Sequence, residues 1–472
     1  MVTFSALVLG ALAVFIMYTA IKSTQRPSRD AQGKMCGLMI VIGAVGLLLI
    51  YSTHDKIAEF GGFNQNPVGI QDVDHSGSDQ SSAISFTQGK TYGIVFDAGS
   101  TGSRIHVFVI SGGSQGKPYA MDDELFIEVK PGLSAYKDDP KQGAESLRGM
   151  LEKAKEYIPK ELWAATPISL KATAGLRLLP AEKSQAILDE VEAIIKTYPF
   201  LATGKFVDIM DGTDEGVFSW FTVNFHKGTS TNLKQSVGVM DLGGGSTQIT
   251  FVPTKAETTS SAPPDYFTTI NLTGDQTKLY THSYLGLGLM SGRLQTLGGK
   301  EGATNNPTTL TSPCFPARFT TFFVHGGVNY TLQGVDDPTG RTQSCYAKAQ
   351  AIVDGYQVQK ALEVSSTPFV LISYYFDRAA DVGLIDRGVG GEITVADFST
   401  AANKVCEDFK TDKQFLCLDL SYIRALLQDG FGFRPETKVT VLKRINDREI
   451  SWGLGAMFQM LNSQAKPAPA AR

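Results

Sequence analysis

Two segments of the sequence place an aspartate, glycines and a Ser-Thr pair between short apolar runs. They are GIVFDAGSTGSRIHVF, from Gly93 to Phe108, and GVMDLGGGSTQITF, from Gly238 to Phe251. Each pattern predicts a strand, a glycine-rich turn and a second strand. Glycine reaches backbone conformations that are closed to other residues, so the amide groups of such turns can crowd around an anion. One copy alone is also typical of an ordinary hairpin, but two matched copies favour a phosphate-binding hairpin that occurs twice.

An aspartate ends the first strand of each predicted hairpin, Asp97 in the first and Asp241 in the second. We expect the two carboxylates to meet if the hairpins face one another. A carboxylate repels a phosphate, so their close approach requires a cation between them. Hard divalent ions prefer oxygen ligands, and the sequence therefore predicts a Mg²⁺ or Ca²⁺ site.

A third group of acids, Asp211, Asp214 and Glu215, precedes the apolar segment GVFSWFTVNF. Negative charge favours a helix N-terminus, which explains Asp211 or Asp214 without any catalytic role. Glu215 has a second interpretation if it faces the two hairpins. Hydrolysis needs a group that accepts a proton from water, and a carboxylate can supply it.

Length and composition limit which folds and which partners are possible. The chain has 472 residues, more than the ~250–300 that a single core usually holds, so we expect two domains. The strand-like segment 168–175 leads into 181–198, where apolar residues recur at helical spacing, and this alternation predicts an α/β fold. The net charge of −4 argues against nucleic acid as a partner.

Two apolar runs near the N-terminus, residues 4–21 and 35–51, are each close to the shortest length that crosses a bilayer. Basic residues dominate the linker 22–34 between them. The positive-inside tendency places this linker in the cytosol and the later residues on the opposite side. A cleaved signal peptide is an alternative account of the first run. Both accounts predict that the large domain is lumenal or extracellular.

The segments that flank the large domain have the composition of linkers. Residues 1–53 are predicted to be a membrane anchor. Residues 54–90 are rich in small and polar residues and are predicted to be a flexible stalk. Residues 463–472 contain several Pro and Ala and are predicted to be a disordered tail.

Cysteine usage also indicates an oxidising compartment. Cys36 belongs to the second apolar run, and four others lie late in the chain: Cys314, Cys345, Cys406 and Cys417. Three pairings are possible, and the short separations favour Cys314 with Cys345 and Cys406 with Cys417. Zinc is the alternative, but no CxxC motif and no nearby histidine pair supports it. Sequons for glycosylation begin at Asn271 and Asn329.

Five motifs in order carry a resemblance to a known family: DAGSTGSR, KATAGLR, DGTDEGVFSW, DLGGGSTQ and SWGLGA. They resemble the five conserved regions of the apyrases, the ecto-nucleoside triphosphate diphosphohydrolases. The segments SYLGLGLMSGR and VGLID are most similar to the nucleoside-diphosphatase branch, which includes Golgi and secreted members.

The resemblance implies a fold of two RNase H-like domains, related to actin, hexokinase and heat-shock-70 proteins, with the nucleotide in the cleft between them. On this analogy the first domain holds residues 91–210 and is completed by 438–462, and the second holds 211–437.

The resemblance also implies roles for individual residues. Glu215 matches the general base that activates the attacking water, and Ser246 and Gln248 match residues that position this water. Asp97 and Asp241 match carboxylates that hold the divalent ion through its water shell, and Thr173 matches another neighbour of that shell. Arg177 is expected to supply charge or to brace a turn. The expected phosphate cradle consists of Ser100, Thr101, Gly102, Gly243, Gly244 and Gly245.

Two features bear on the substrate. Ser103 and Arg104 stand where surface triphosphatases of the family often carry a histidine and a threonine, and this departure favours diphosphate substrates. The segment FVLISYYF is predicted to be a strand whose Tyr374 or Tyr375 stacks on the base. For Trp452, packing between domains and contact with the nucleotide are both open.

The expected reaction is metal-dependent hydrolysis of the terminal phosphate of nucleoside diphosphates, with UDP, GDP and IDP preferred. A broad apyrase that hydrolyses ATP and ADP is the first alternative. A kinase-like phosphotransferase is another alternative, but it would be cytosolic. A non-catalytic nucleotide-binding module is a further alternative, but it would have lost Glu215, Ser246 or Gln248. An exopolyphosphatase would be distinguished by hydrolysis of inorganic polyphosphate. The sequence leaves the oligomeric state open.

Overall fold

A computed structural model describes residues 90–112, 119–230, 232–272, 275–303 and 307–465. The predicted anchor (1–53) and nearly all of the predicted stalk (54–90) lie outside these ranges. Among the described residues, no helix combines the length and the apolar character that spanning a membrane requires.

The first hairpin belongs to a five-stranded sheet with the strand order β3-β2-β1-β4-β5. Strands β1 and β2 are antiparallel, and Asp97 pairs with Arg104 beside the connecting turn. Strand β4 runs parallel to β1 and brings Ala172 level with Ala98. The five strands are Lys90–Ala98 (β1), Ser103–Ser111 (β2), Ala120–Val129 (β3), Ile168–Ala172 (β4) and Val207–Ile209 (β5).

The second hairpin belongs to a seven-stranded sheet with the order β14-β15-β13-β6-β7-β9-β8. Its two strands pair Asp241 with Gln248, so the prediction of two strand-turn-strand units is confirmed. The strands are Gly238–Leu242 (β6), Ser246–Phe251 (β7), Phe267–Leu272 (β8), Asp275–Leu285 (β9), Phe369–Ser373 (β13), Gly391–Thr394 (β14) and Lys438–Val441 (β15). Two small sheets hold Thr309–Ser312 (β10), Thr320–His325 (β11) and Val328–Gly334 (β12), and Arg444–Ile445 (β16) with Arg448–Glu449 (β17).

Helices cover the sheets and bury their apolar faces. One core forms where the five-stranded sheet packs on the helices that follow it, and a larger core forms around the seven-stranded sheet. The helices are Pro140–Glu145 (α1), Arg148–Tyr157 (α2), Ala174–Arg177 (α3), Ala181–Ile195 (α4), Gly212–His226 (α5), Ala256–Ser261 (α6), Leu289–Thr296 (α7), Arg341–Gly355 (α8), Tyr374–Asp381 (α9), Val395–Glu407 (α10), Leu416–Ala425 (α11) and Gly453–Ala465 (α12).

The C-terminal segment, residues 438–462, was expected to complete the first domain as a whole. Its parts instead belong to different sheets. Strand β15 pairs with β13 and β14 in the seven-stranded sheet, because Val439 and Val441 both bury their side chains there. Helix α12 instead packs against β1, β2 and α5. This helix continues to Ala465, so the first three residues of the predicted tail are helical. Residues 466–472 lie outside the described ranges.

Both predicted disulfides are present. Cys314 is bonded to Cys345 and Cys406 to Cys417, and the bonded residues have Cα–Cα distances of 4.7 and 4.6 Å. The four half-cystines share one buried apolar cluster, which explains how they are brought together. Asn329 is exposed on β12 opposite Val324, so this sequon is accessible. Asn271 lies in β8, and its side chain is outside the described part.

Candidate active site

The two glycine-rich turns meet at one cleft of about 690 Å³, which residues from both sheets line. The turns approach so closely that side chains do not fit between them. A Cβ atom on Gly244 would lie 2.1 Å from Ser100 Oγ, and one on Gly175 would lie 2.7 Å from Ser100 Cα. Glycine at position 244 therefore lets the two turns face each other, and Gly175, which lies in α3, makes room for the first turn.

Asp97 and Asp241 stand at corresponding places in the two hairpins and both line the cleft. Both side chains are buried, and burial is the main cause that raises the pKa of each carboxyl group. Arg104 Nη1 donates to Asp97 Oδ2 at 3.2 Å, and Ser219 Oγ donates to Asp241 Oδ2 at 3.0 Å. Each carboxylate is thus held by at least one hydrogen bond, and the side chain of Ser373 adds a second at Asp241.

The donor set suits a hard divalent cation. Asp97 Oδ1 is buried and has no hydrogen-bond partner among the described residues, so this oxygen is available to a ligand or to a metal-bound water. Within the same ranges, no three His, Cys, Asp or Glu side chains are close enough together to hold a metal ion directly. The two carboxylates offer the oxygen donors that hard divalent ions prefer, and their action through a water shell stays a prediction.

Glu215 faces the same cleft from the first turn of α5. Asp211 caps this helix by accepting a hydrogen bond from the Thr213 amide at 2.7 Å, which fixes the direction of the first turn. The neighbouring Asp214 is exposed, whereas Glu215 is buried. Of the three acids before the apolar segment, only Glu215 reaches the cleft.

Burial raises the pKa of Glu215 to about 7. The Arg177 guanidinium lowers this pKa and offsets part of the effect, and the charges of Asp241 and Asp97 raise it further. Arg177 donates a hydrogen bond to Glu215 Oε2 and does not itself line the cleft. A carboxylate with a pKa near neutrality can take a proton from water and release it again.

Ser246 and Gln248 form a buried hydrogen-bonded group beside Glu215. Gln248 Nε2 donates to Ser246 Oγ at 2.8 Å and to Ser283 Oγ at 2.9 Å. Gln248 Oε1 is buried without a hydrogen-bond partner in the described part of the chain, so it can accept from a water. Ser246 lines the cleft and Gln248 lies behind it. Ser283 was not predicted as a site residue, although it begins the segment SYLGLGLMSGR that carries part of the resemblance.

Most of the predicted phosphate cradle lines the cleft. Ser100, Thr101 and the three consecutive glycines 243–245 do so, and Thr173 joins them just before α3. Gly102 is the exception. A Cβ atom there would lie 3.1 Å from both Glu128 Oε1 and the Val129 carbonyl oxygen, so this glycine makes room for strand β3.

The prediction that FVLISYYF is a single strand is wrong. The strand ends at Ser373, which has a φ of +61°, and Tyr374 begins helix α9. Helical geometry turns Tyr375 into the core, where it is fully buried, and leaves Tyr374 on the wall of the cleft. Tyr375 therefore cannot stack on a base. Trp452 packs in the apolar cluster of α12 and also lines the cleft, so contact with a nucleotide stays a prediction.

Glu128, Arg293 and Arg378 line the cleft but were not predicted from the sequence. Arg104 Nη2 donates to Glu128 Oε1 at 2.7 Å, so Arg104 links Glu128 to Asp97. Asp419 is buried and does not itself line the cleft, and it accepts hydrogen bonds from Arg293 and Arg378. The pairing of β2 with β3 places Glu128 opposite Arg104. The contacts of Asp419 depend on tertiary structure, and no local motif indicates them.

The fold, the two facing turns and the buried acids define a phosphatase-like nucleotide cleft, and comparison with known proteins agrees. The model of the GDA1/CD39 (nucleoside phosphatase) family matches residues 84–361 and 392–469, and the chain belongs to this family. The chain is 45% identical over 384 residues to the human nucleoside diphosphate phosphatase ENTPD5, covering 80% of this chain and 90% of the relative. It is 46% identical over 386 residues to human ectonucleoside triphosphate diphosphohydrolase 6, with 80% and 79% covered.

A solved structure supports the same fold. The nucleoside triphosphate hydrolase of Neospora caninum superposes with a TM-score of 0.55 over 80% of this chain and 93% of that one, at 14% sequence identity. The predicted resemblance to the apyrases is therefore confirmed at the level of family, and the α/β class at the level of fold.

Proposed function

We propose that the protein hydrolyses the terminal phosphate of nucleoside diphosphates and releases a monophosphate and inorganic phosphate. The observation that carries this proposal is the position of Glu215, a buried carboxylate with a pKa of about 7 that lines the cleft between two glycine-rich turns. The human relative named as a nucleoside diphosphate phosphatase supports diphosphates as the substrate class.

The chemistry follows from what the residues can do. Glu215 takes the proton of a water that Ser246 and Gln248 orient, and the terminal phosphate lies against the turns of Ser100–Thr101 and Gly243–Gly245. Asp97 and Asp241 would hold a Ca²⁺ or Mg²⁺ ion through water, with Thr173 nearby, and this ion supplies neutralisation of the phosphate charge when bound. Catalysis then rests on positioning and on electrostatic stabilisation.

Arg177 has a positioning role in this scheme. Its hydrogen bond to Glu215 Oε2 leaves the other carboxylate oxygen of Glu215 to face the water. A Cβ atom on Gly212 would lie 2.8 Å from Arg177 Nη1, so glycine at the start of α5 gives the arginine its space. Arg177 thus holds the base in place and limits how far burial raises its pKa.

We further propose two RNase H-like domains, one built on each sheet, and a lumenal or extracellular location for both. The two disulfides support an oxidising compartment. The apolar runs 4–21 and 35–51 would attach the protein to the membrane. For the bases, the proposal is preference for UDP, GDP and IDP.

A broad apyrase is the second candidate, because the human relative named ectonucleoside triphosphate diphosphohydrolase 6 is 46% identical to the chain, against 45% for the human nucleoside diphosphate phosphatase. The purified full-length protein will be tested for phosphate release from UDP, GDP, IDP, ADP, CDP, UTP and ATP, with Ca²⁺ or Mg²⁺. We expect the highest kcat/KM values with UDP, GDP and IDP. Comparable hydrolysis of ATP and ADP would assign the protein to the broad apyrases, and no phosphate release would contradict both.

A further inference from the structure

One carboxylate of the cleft has no function in the scheme above. Six acids line the cleft, and five of them have a polar partner. Asp97 and Glu128 both contact Arg104, and Glu215 contacts Arg177. Asp241 contacts Ser219, and Glu449 lies 3.9 Å from Lys443. The sixth, Asp377, makes no hydrogen bond and no ion pair with the residues that the structure describes. Its charge is one of the minor causes that raise the pKa of its neighbour Arg378.

Asp377 is placed in the cleft by helix α9. This helix begins directly after Ser373, whose hydroxyl hydrogen-bonds to the Asp241 carboxylate, so its N-terminal end is tied to the catalytic end of the sheet. Tyr374, Asp377 and Arg378 are three and four residues apart and share one helix face, which lines the cleft. The opposite face, with Tyr375 and Phe376, is buried in the core.

The neighbouring cations cannot neutralise Asp377, because other acids already bind them. Arg378 Nη1 donates to Asp419 Oδ2 at 3.1 Å, and Arg378 Nη2 lies 2.9 Å from Asp381 Oδ2. Arg293 forms two hydrogen bonds with Asp419, at 3.0 and 2.6 Å. The Asp377 carboxylate thus remains an acceptor that is available to a ligand.

The surroundings of Asp377 suit a planar ring with a polar edge. The aromatic side chains of Tyr374 and Phe415 both line the cleft, and the Arg293 guanidinium lies 4.0 Å from the Phe415 ring. On a helix, Cβ atoms three residues apart are about 5–6 Å from each other. A base stacked on Tyr374 can therefore reach Asp377 with its polar edge.

We propose that Asp377 selects the base of the substrate by accepting a hydrogen bond from a protonated ring nitrogen. A carboxylate only accepts hydrogen bonds. Guanine and hypoxanthine carry a hydrogen on N1 and uracil carries one on N3, and guanine adds an amino group beside it. Adenine and cytosine present a lone pair at the corresponding nitrogen, which a carboxylate repels. The inference rests on the proposed function, and it explains a preference for UDP, GDP and IDP by one residue.

The test compares the full-length protein with Asp377→Ala, using UDP and 3-methyluridine diphosphate, which lacks the N3 hydrogen. A hydrogen bond of this kind is worth roughly 10-fold or more in discrimination. We expect the unchanged protein to prefer UDP over the methylated substrate by about this factor, and the variant to lose the preference. In Asp377→Asn, whose amide can donate, the ratio of kcat/KM for GDP to that for ADP is expected to fall by a similar factor.

Two controls separate selection of the base from damage to the fold. Ribose 5-diphosphate has no base, so its hydrolysis is expected to be equal in the unchanged protein and in Asp377→Ala. Glu392→Gln, at an exposed acid of β14 outside the cleft, is expected to keep the preference for UDP over 3-methyluridine diphosphate. An equal loss on all substrates, or an unchanged preference in Asp377→Ala, overturns the inference. Failure of the unchanged protein to hydrolyse any diphosphate overturns the proposed function instead.

Discussion

Replacing Glu215 with Gln is expected to lower kcat for UDP by roughly 10²–10⁴-fold, the usual contribution of a general base. Gln has nearly the same shape as Glu and keeps the buried site filled, but it cannot take a proton from water. Glu215 is the acid of α5 that lines the cleft, so no neighbouring carboxylate on that helix replaces it. The measurement is initial-rate phosphate release together with binding of the nucleotide by calorimetry.

Nucleotide binding and the matched variant Asp214→Asn give the controls. Asp214 precedes Glu215 on the same helical turn but is exposed and does not line the cleft, so Asp214→Asn is expected to keep kcat. In Glu215→Gln, the affinity for the nucleotide is expected to remain, because the turns around Ser100 and Gly244 are unchanged. Substantial turnover by Glu215→Gln would remove Glu215 from the role of base.

The pH dependence of activity in the unchanged protein also tests the assignment of Glu215 as the base. Because burial raises the pKa of Glu215 to about 7, the carboxylate is ionised above this pH and protonated below it. The base acts only when it is ionised. We therefore expect kcat/KM to rise with pH through about 7 and then to level off. A rise in kcat/KM near the ordinary pKa of a glutamate instead would argue that another group is the base.

The local parts of the site could be predicted from the sequence. Asp97, Asp241 and the glycines of both turns stand in short segments whose strand pattern and turn chemistry determine where each residue lies. Glu215 follows from the cap at Asp211 and the start of a helix. These features depend on neighbours along the chain, and the structure places all of them except Gly102 at one cleft.

The remaining features depend on contacts that no local pattern contains. Ser373 has a positive φ, and this backbone conformation turns a strand into helix α9, so alternation along FVLISYYF wrongly predicted the direction of Tyr375. Strand β15 joins the seven-stranded sheet because β13 offers it an edge, which the sequence near Lys438 does not show. The contacts of Asp419 with Arg293 and Arg378 likewise link segments that are far apart in the chain.

Removal of divalent ions is the second large effect that we expect. With EDTA in excess, UDP hydrolysis should fall on the order of 10²-fold or more, because an ion at the phosphate contributes several kcal/mol of charge stabilisation. Addition of Ca²⁺ or Mg²⁺ beyond the chelator should restore the rate. Full activity in the presence of the chelator, after verified removal of bound metal, would contradict the role of the two aspartates.

The dependence of activity on the concentration of the metal ion tests which residues hold the ion. Asp241→Asn keeps the shape of the side chain and can keep the hydrogen bond from Ser219, but it removes the charge that attracts a hydrated cation. Groups that act on a metal through its water shell typically change metal affinity by about 10–100-fold. We expect Asp241→Asn to raise the Mg²⁺ concentration for half-maximal activity by about this factor. Asp208→Asn, on β5 and outside the cleft, should leave this concentration unchanged. Equal metal dependence in Asp241→Asn and the unchanged protein would show that Asp241 supports the hairpin instead of the ion.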